Sequence, residues 1–463
     1  MFALVRSRFP FILAALSLSL LIAACGDDDE KTSGGSTTAA GGSPANISGK
    51  TVEALGIWGA EEQADFEAMV APWKTDTGAS VNFTGSRDVN SILTTRVAGG
   101  DPPDVAFPAS KGIFEDLAND GKLTPLSACP GLEDKVKAEY SRQVLELGTV
   151  DDKLYGVLMK AGNKGTIWYN PKFFQENGYE PLKADASFQD LLDLTEKIAA
   201  DKEAGKHDVF PWSDGEEAGG GSGFPGSDWI QQIVLGESGP DVYDEWVDHE
   251  IPYNDPKIKQ AWEDFGKILL EPRYVVGGTE QALTTKFSEG GLPVFKQPPQ
   301  AAMQYLGSFN SGFITDPTLG FPAGLQPGTD FDFFPFPGGG ATGDANIMMI
   351  FNSNPETCSF AEWMASAQAQ EIWVKRGGFT SLNTSLDLSA YPNDLDRRIA
   401  EQLKDPATTF RFDADDAMPS GVGGDNGAVF TGVLSYLSGG NLDDILQQID
   451  AAFPAGASPG ASP

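Results

Sequence analysis

Residues 51–78 read TVEALGIWGAEEQADFEAMVAPWKTDTG, and this stretch decides the fold class. Its first eight residues carry apolar side chains at positions 52, 55 and 57, which is typical of a buried strand. After a short loop, apolar residues at 66, 69, 70 and 73 follow the spacing i, i+3, i+4 and i+7, which predicts an amphipathic helix ending at Gly78. A strand followed at once by a helix is the first half of a βα unit.

The same alternation continues along the chain. We expect a second strand at 80–83, a helix at 89–97 and a third strand at 104–107. Further on, Ser187 with Asp190 three residues later predicts a capped helix over 187–199, and a late helix around Phe360 is expected to run to a stop at residues 377–378. The pattern indicates an α/β fold with parallel or mixed sheets flanked by helices, whose ligands bind at the carboxyl ends of strands.

The N-terminus has the layout of an export signal. Arg6 and Arg8 precede an apolar segment, and residues 21–25, LIAAC, resemble the lipobox of bacterial lipoproteins. We therefore expect a signal peptide at 1–24, a diacylglycerol on Cys25 that anchors the chain to the membrane, and a flexible tether at 25–48. The alternative is an ordinary secretory signal with an incidental cysteine. A low-complexity stretch at 453–463 is expected to be a disordered tail.

Composition narrows the partners and the compartment. The chain has 66 acidic and 32 basic residues and a net charge of −34, so it repels nucleic acid and anionic lipid. Apart from Cys25, the cysteines are Cys129 and Cys358. They form either one disulfide, which an extracytoplasmic compartment permits, or two buried thiols.

The order of several short motifs resembles one family, the extracellular solute-binding proteins of carbohydrate ABC importers. The motifs include AGGDPPDVAF at 98–107, YGVLMKAGNKGTIWYNPKFF at 155–174, AAMQYLGSF at 301–309 and DAMPSGVGG at 416–424. They look most similar to the α-glucoside and oligosaccharide binders of the group. The resemblance covers nearly all of residues 50–450.

The resemblance implies two α/β lobes that close on a sugar by hinge bending. Lobe 1 would comprise residues 49–159 and 346–376, and lobe 2 residues 163–343 and 382–452. Gly162 and Gly165 fall in the first crossing between the lobes, where glycine absorbs torsional change at least steric cost. The expected protein is a monomer without metal or cofactor that passes a carbohydrate to transmembrane permease subunits. It would lie on the extracytoplasmic face, in a periplasm or on an outer cell surface.

Aromatic platforms and polar groups are expected to hold the sugar. The tryptophans at 73, 262, 363 and 373 sit at helical spacing and indicate core positions. Trp58, Trp212 and Trp229 lie in or beside loops, where stacking on a sugar and packing in the core are both open. Phe309 stands where many relatives place a tryptophan.

The polar candidates come from loops that face the ligand in the family. Glu62 and Gln63 follow the first strand, although acids in the first turn of a helix also stabilise it without a ligand. The others are two residues after the second strand, Arg87 and Asp88, which alternatively form a turn and a helix cap, and Asn163, Asp228 and Asp425.

Several other sequence signals do not indicate a functional site. GSGFPG at 221–226 matches a dinucleotide-binding pattern but contains a proline and is interpreted as a loop. Asp413, Asp415 and Asp416 lack the spacing of a calcium loop and are interpreted as solvated. A surface-anchored glycoside hydrolase, a polyamine-binding protein and an adhesive lipoprotein remain alternative functions; the expected function is binding, not catalysis.

Overall fold

The computed structural model describes residues 46–86, 88–405 and 408–454. The predicted signal peptide, Cys25, most of the tether and nearly all of the tail lie outside the described residues. In the described part of the chain, no helix combines the length and the hydrophobicity that crossing a membrane requires.

The strands of the described residues, numbered in chain order, are β1 Thr51–Gly56, β2 Ser80–Gly85, β3 Val105–Phe107, β4 Thr149–Val150, β5 Lys153–Leu154, β6 Gly156–Asn163, β7 Thr166–Tyr169, β8 Phe210–Trp212, β9 Ala301–Tyr305, β10 Asp332–Pro335, β11 Gly340–Ile350, β12 Thr380–Ser381 and β13 Thr409–Phe412.

The α-helices of the same residues are α1 Ala60–Thr77, α2 Val89–Ala98, α3 Lys111–Asn119, α4 Leu132–Glu139, α5 Arg142–Leu147, α6 Pro171–Asn177, α7 Phe188–Glu203, α8 Phe224–Ile233, α9 Pro240–Val247, α10 Pro256–Leu269, α11 Gly278–Thr284, α12 Leu292–Phe295, α13 Asn310–Thr315, α14 Pro355–Ala365, α15 Ala367–Val374, α16 Asp394–Lys404, α17 Ala414–Ala417, α18 Ser420–Gly423, α19 Ala428–Leu437 and α20 Leu442–Ala452.

Two large sheets organise the described residues, and β4 and β5 form a separate two-stranded sheet. The larger has seven strands, with β12, β6, β11, β3, β1 and β2 in a row and β13 beside β11. Its pairs are of both kinds: β1 is parallel to β2 and β3, whereas β11 is antiparallel to β3 and β6. The smaller sheet has four strands in the order β10, β7, β9 and β8. The predicted mixed α/β architecture is thereby confirmed.

Separate apolar cores accompany the two sheets. The core of the seven-stranded sheet includes Phe66 and Ile347, and those of the four-stranded sheet include Trp229 and Phe331. Most buried residues between 382 and 412, which were expected in lobe 2, belong to the core of the seven-stranded sheet, to which β13 is joined by pairing with β11. Leu395 and Ile399 of α16 are exceptions and belong to a core of the four-stranded sheet. The chain passes to the other core at residues 412–414, where Phe412 and Ala414 belong to different cores.

The chain passes between the sheets at three places that lie side by side. These crossing segments are residues 163–165 between β6 and β7, residues 336–343 from the end of β10 into β11, and residues 409–414 from β13 into α17. The Lys164 N–H donates to the Thr342 carbonyl at 2.8 Å, and the Asp413 N–H donates to the Gly343 carbonyl at 2.8 Å. The middle segment therefore joins the other two.

Close approach explains two glycines at the crossing segments. A Cβ on Gly162 would lie 2.3 Å from a carboxylate oxygen of Asp344, and one on Gly343 would lie 2.3 Å from the Gly162 carbonyl oxygen. Neither glycine has a positive φ angle. The need for glycine here is therefore steric, because the strands could not pair at this distance around a larger residue.

Local sequence signals placed three of the four predicted helices well, namely α1, α2 and α7. The side chains at 66, 69, 70 and 73 are buried on α1, which ends at Gly78 with φ 69°. The capping box of α7 is present, with Ser187 and Asp190 exchanging hydrogen bonds. The prediction of a single late helix was wrong, because the helix breaks at Ser366. The Ser366 hydroxyl donates to the Trp363 carbonyl and accepts the Ala369 N–H in the first turn of α15.

Candidate functional site

The carboxyl ends of two parallel strands define the candidate site. Strands β8 and β9 are parallel neighbours in the four-stranded sheet, so both end at the same edge. The loop at 213–223 follows β8 and leads into α8, and the loop at 306–309 follows β9 and leads into α13. Ligands of open α/β sheets bind at such an edge because loops there converge from several strands.

Four phenylalanines form a continuous row at this edge, which we call the aromatic belt: Phe224, Phe287, Phe309 and Phe313. All four side chains are half-buried. Neighbouring rings pack edge to face, with centroid distances of 5.0, 5.4 and 5.9 Å along the row. The belt thus presents aromatic surface to solvent, as a ligand with apolar CH faces requires.

Asn163 connects the first crossing segment to the belt. Its backbone N–H donates to the Ser308 hydroxyl at 3.0 Å, and the Ser308 N–H donates back to the Asn163 carbonyl at 2.7 Å, next to Phe309. The amide of Asn163 donates to Gln402 at 2.9 Å and accepts the Gly165 N–H at 2.9 Å. Asn163 is fully buried, so this amide orients its neighbours in the present conformation.

Lys164 lies beneath the other end of the belt, in a buried cluster of charges. Its ammonium is 5.8 Å from the centre of the Phe224 ring and 3.0 Å from Asp228, and it also contacts Asp413. Asp415 lies beside them and accepts from the Ser227 hydroxyl and the Gln231 amide. Oxygens of Asp228, Asp413 and Asp415 lie within 4.8 Å of one another, and Lys164 supplies the positive charge beside them.

The carboxyl groups of the cluster have pKa values shifted in opposite directions. Burial opposes the charged form of Lys164, but Asp228 and Asp413 outweigh it and raise the pKa of the ammonium above its ordinary value. Burial raises the pKa of Asp228 and of Asp415, with neighbouring carboxylates adding to the shift. The pKa of Asp413 is lowered because Lys164 overcomes the effect of its burial. The ion pair of Lys164 and Asp413 is therefore the stable charged unit.

A second buried acidic pair lies on the loop after β8. Asp214 and Glu216 are 7% and 0% exposed, and their carboxyl groups interact electrostatically, while one oxygen of each has no hydrogen-bond partner among the described residues. The other interaction of Glu216 fixes the start of α8, since its carboxyl accepts the Gly226 N–H at 3.1 Å. Burial raises the pKa of Asp214 to about 6, and burial together with Asp214 raises that of Glu216 well above its ordinary value. Both carboxyl groups therefore keep their protons to higher pH than exposed carboxyl groups do.

The tryptophans proposed as platforms are packed inside the cores. Trp58 is 0% exposed, lies against Phe107 at 4.9 Å and donates its indole N–H to Asn346 at 2.9 Å. Trp212 and Trp229 are each 1% exposed and pack edge to face at 5.0 Å. Of the two interpretations that the sequence left open, the structure favours packing for all three in this conformation.

The other predicted residues fall into two groups, those close to the first crossing segment and those away from it. Asp228, Asn163 and Phe309 converge on the first crossing segment, as described above. Glu62 pairs with Lys160 at 2.6 Å on the side of the seven-stranded sheet. Gln63 is half-buried, and its amide donates to Glu67. Asp88 and Asp425 are exposed, and Asp425 lies beside the glycine loop at 219–221. Arg87 lies outside the described residues.

Two predictions about pairing and burial have clear outcomes. Cys129 and Cys358 are joined in a disulfide with a Cα–Cα distance of 5.3 Å, which resolves the choice between a bridge and two thiols. The interpretation of Asp413 and Asp415 as solvated was wrong, since they are 0% and 5% exposed. Their carboxylates point inward because Lys164, Ser227 and Gln231 offer donors there.

Sequence reasoning missed the phenylalanines and the ammonium. Phe224, Phe287 and Phe313 are not among the predicted residues, because apart from Phe309 the sequence interpretation treats only tryptophans as platforms. Phe224 lies within the GSGFPG stretch at 221–226, which is interpreted from sequence as a loop. Lys164 adjoins Asn163, but its partners are 64 and 249 residues away, so no local pattern announces them.

Comparison with known proteins identifies the family. The family described as bacterial extracellular solute-binding protein matches residues 59–371. The chain belongs to the bacterial extracellular solute-binding proteins. A solute-binding protein of this family acts on the extracytoplasmic side of the membrane, and the aromatic belt at the edge of the smaller sheet is its candidate solute site.

Two curated relatives are similar to this solute-binding protein over most of its length. The osmoprotective compounds-binding protein GgtB of Synechocystis sp. is 32% identical over 411 residues, covering 88% of this chain and 93% of GgtB. The alpha-glucosides-binding periplasmic protein AglE of Rhizobium meliloti is 31% identical over 423 residues, covering 88% of each chain. Both relatives are, by name, binding proteins.

Solved structures establish the fold. The apo form of RafE from Streptococcus pneumoniae superposes with a TM-score of 0.67 at 16% identity, covering 89% of this chain and 98% of RafE. The solute-binding protein therefore has the two-lobe periplasmic-binding-protein fold.

Proposed function

We propose that this solute-binding protein captures a carbohydrate outside the cytoplasm and delivers it to the permease of an ABC importer. The observation that carries the proposal is the aromatic belt, four half-buried rings at the carboxyl ends of β8 and β9, next to amide and charged groups. Sugars combine weakly apolar CH faces with polar rims, so such a surface matches them. The similarity to AglE favours an α-glucoside or another oligosaccharide.

Capture proceeds by closure of two lobes around the three crossing segments. One lobe is built on the seven-stranded sheet and includes residues 49–159 and 346–376; the other is built on the four-stranded sheet. In this proposal most of residues 382–412 move with the first lobe, because buried side chains such as Tyr391 and Phe410 share its core, whereas Leu395 and Ile399 of α16 pack in the core of the second lobe. A solute favours the closed form only through tighter contacts with that form.

The proposal includes a lipid anchor. Diacylglycerol on Cys25 would hold the mature chain at the membrane surface, and residues 25–48 would tether the folded part, which acts as a monomer. Two acyl chains on one residue suffice for stable anchoring. Mass spectrometry of the chain expressed in a bacterial host checks this: the acylated N-terminus should disappear in the C25S variant.

A thermal-shift screen tests the proposed solute class. The C25S chain is heated with maltose, trehalose, sucrose, longer α-glucans, xylo- and cello-oligosaccharides, and spermidine. A ligand at one hundred times its Kd stabilises the folded state by about 2.7 kcal/mol, which raises the melting temperature. We expect a shift with one oligosaccharide that is recovered intact. Cleavage of that sugar would show that the protein is a glycoside hydrolase. A shift with spermidine alone would show that it binds a polyamine and not a sugar.

The similarity to GgtB favours a second candidate, an osmoprotective compound. Aromatic rings also bind quaternary ammonium groups through their π faces, and glycine betaine carries such a group. Betaine is therefore added to the screen. A shift with betaine and with none of the sugars would favour this candidate over the carbohydrate.

A further inference from the structure

One helix contacts all three crossing segments. The polar residues Asp228, Gln231 and Gln232 of α8 follow the spacing i, i+3 and i+4, which places them on one face of the helix. All three are at most 1% exposed. The opposite face carries Trp229, Ile230 and Ile233, which pack in the core of the four-stranded sheet. The helix is thus anchored in one core and turns its polar face to the crossing segments.

Each polar residue of α8 holds a different crossing segment. Asp228 pairs with Lys164 of the first segment at 3.0 Å. Gln232 holds the second: its amide oxygen accepts the Thr342 N–H at 2.7 Å and the Thr342 hydroxyl at 2.9 Å, and its amide nitrogen donates to the Gly340 carbonyl at 3.2 Å.

The third segment is held by Gln231. Its amide oxygen accepts the Ala414 N–H at 2.8 Å, and its amide nitrogen donates to Asp413 at 3.2 Å and to Asp415 at 2.8 Å. Tyr243 of α9 closes the same network, because its hydroxyl donates to Gln231 at 3.1 Å and lies 2.9 Å from the Phe412 carbonyl. Backbone groups of Gly340, Thr342 and Ala414 take part in these contacts, so the contacts help to fix the path of the chain.

The same face of α8 reaches the candidate solute site. Phe224 lies four residues before Asp228, one turn along the helix, and forms one end of the aromatic belt. A solute that contacts Phe224 therefore touches the first turn of the helix that holds all three crossing segments. Glu216 fixes this first turn from the opposite side through the Gly226 N–H.

We propose that α8 couples the solute site to the crossing segments, with Gln231 and Gln232 as positioning residues that restrict the relative orientation of the two lobes. The coupling to the solute site rests on the proposed function. The restriction of lobe orientation by Gln231 and Gln232 does not depend on it. Without the contacts of Gln231 and Gln232, the lobes sample more orientations and a smaller fraction of molecules is competent to bind the solute. The apparent affinity for the solute falls in proportion to that fraction.

The first measurement needs no solute. Spin labels are attached at two exposed positions, Asp120 after α3 and Ala204 after α7, through a ketone-bearing amino acid that leaves the native disulfide intact. The distance distribution between the labels is recorded by pulsed electron resonance for the C25S chain and for Q231M and Q232M in that background. We expect each variant at least to double the width of the distribution.

Q370M is the matched control. Gln370 is also 0% exposed, and its amide nitrogen donates to Tyr140 at 2.7 Å and to the Met364 carbonyl at 3.2 Å, all within the core of the seven-stranded sheet. This variant should lose melting temperature as Q232M does, yet keep the width of the C25S chain. A second variant, T342V, deletes a single hydroxyl bond to Gln232 and should broaden the distribution with little loss of stability.

The second measurement uses the solute that gives the largest thermal shift. Q231M and Q232M should bind it about fivefold more weakly, and Q370M within twofold of the C25S chain. Unchanged widths in Q231M, Q232M and T342V would overturn the proposal, and so would equal broadening in Q370M. If no compound in the thermal-shift screen raised the melting temperature, the proposed function would be refuted. The distances between the spin labels would still decide the role of α8.

Discussion

The buried pair of Asp214 and Glu216 predicts an unusual dependence of stability on pH. Burial raises the pKa of Asp214 from 3.8 to about 6 in the folded chain. A raised pKa means that folding favours the protonated carboxyl, so its contribution to stability is complete below pH 3.8 and is lost as pH rises through 6. A shift of about two pKa units at about 1.36 kcal/mol each corresponds to about 3 kcal/mol.

The D214N variant isolates this contribution, because an amide resembles the protonated carboxyl and does not titrate. Urea unfolding of the wild-type chain and of D214N is followed by tryptophan fluorescence at pH 4, 5, 6 and 7.5. D214N should be more stable by only about 0.5 kcal/mol at pH 4, which is close to the unfolded pKa, and by about 3 kcal/mol at pH 7.5.

A control with the opposite sign guards against a general effect of charge. Asp190 caps α7 and is exposed, and hydrogen bonds from the Ser187 backbone and hydroxyl lower its pKa. Its contribution is present at neutral pH and is lost as pH falls through the lowered pKa, so D190N should lose its disadvantage in acid. A stability difference between D214N and wild type that stays constant with pH, or grows as pH falls, would refute the reasoning.

Two further perturbations test the disulfide and the belt. The bond between Cys129 and Cys358 closes a loop of 229 residues, for which the chain-entropy relation gives about 5 kcal/mol, so the C129S/C358S chain should unfold at much lower urea; equal stability would contradict that relation. In titration calorimetry, F224A should bind the identified solute about tenfold more weakly, which corresponds to about 1.4 kcal/mol. F453A is the control, because Phe453 is also half-buried but stacks on His249, and it should bind normally. Normal binding by F224A would show that the aromatic belt is not part of the solute site.

The sequence predicted elements whose signals are local. The apolar spacing of α1 and the capping box of α7 lie within one or two helical turns, so neither depends on distant residues. The break at Ser366 was missed because apolar residues continue on both sides of it, and the hydroxyl that caps α15 gives a weaker signal than the spacing.

The candidate site was harder to predict because its members come from distant segments. A tryptophan at a strand end has the same local pattern whether it faces solvent or a core. Trp58 packs on Phe107 and Trp373, which nothing near residue 58 reveals. The belt likewise joins rings from α8, a short turn at 287–289 and α13, and its existence follows from how the loops of the four-stranded sheet converge.

The chemistry of the crossing segments agrees with the proposed movement. An apolar contact between α8 and these segments would hold them at least as firmly, because buried ion pairs repay their desolvation only with excellent geometry. Hydrogen bonds to water can replace those from Gln231 and Gln232, and each bond contributes a net of only about 1 kcal/mol. A helix held by such bonds specifies the path of three segments and still releases them at small cost. An interface that must be remade in every transport cycle needs this combination, and a dry apolar contact does not provide it.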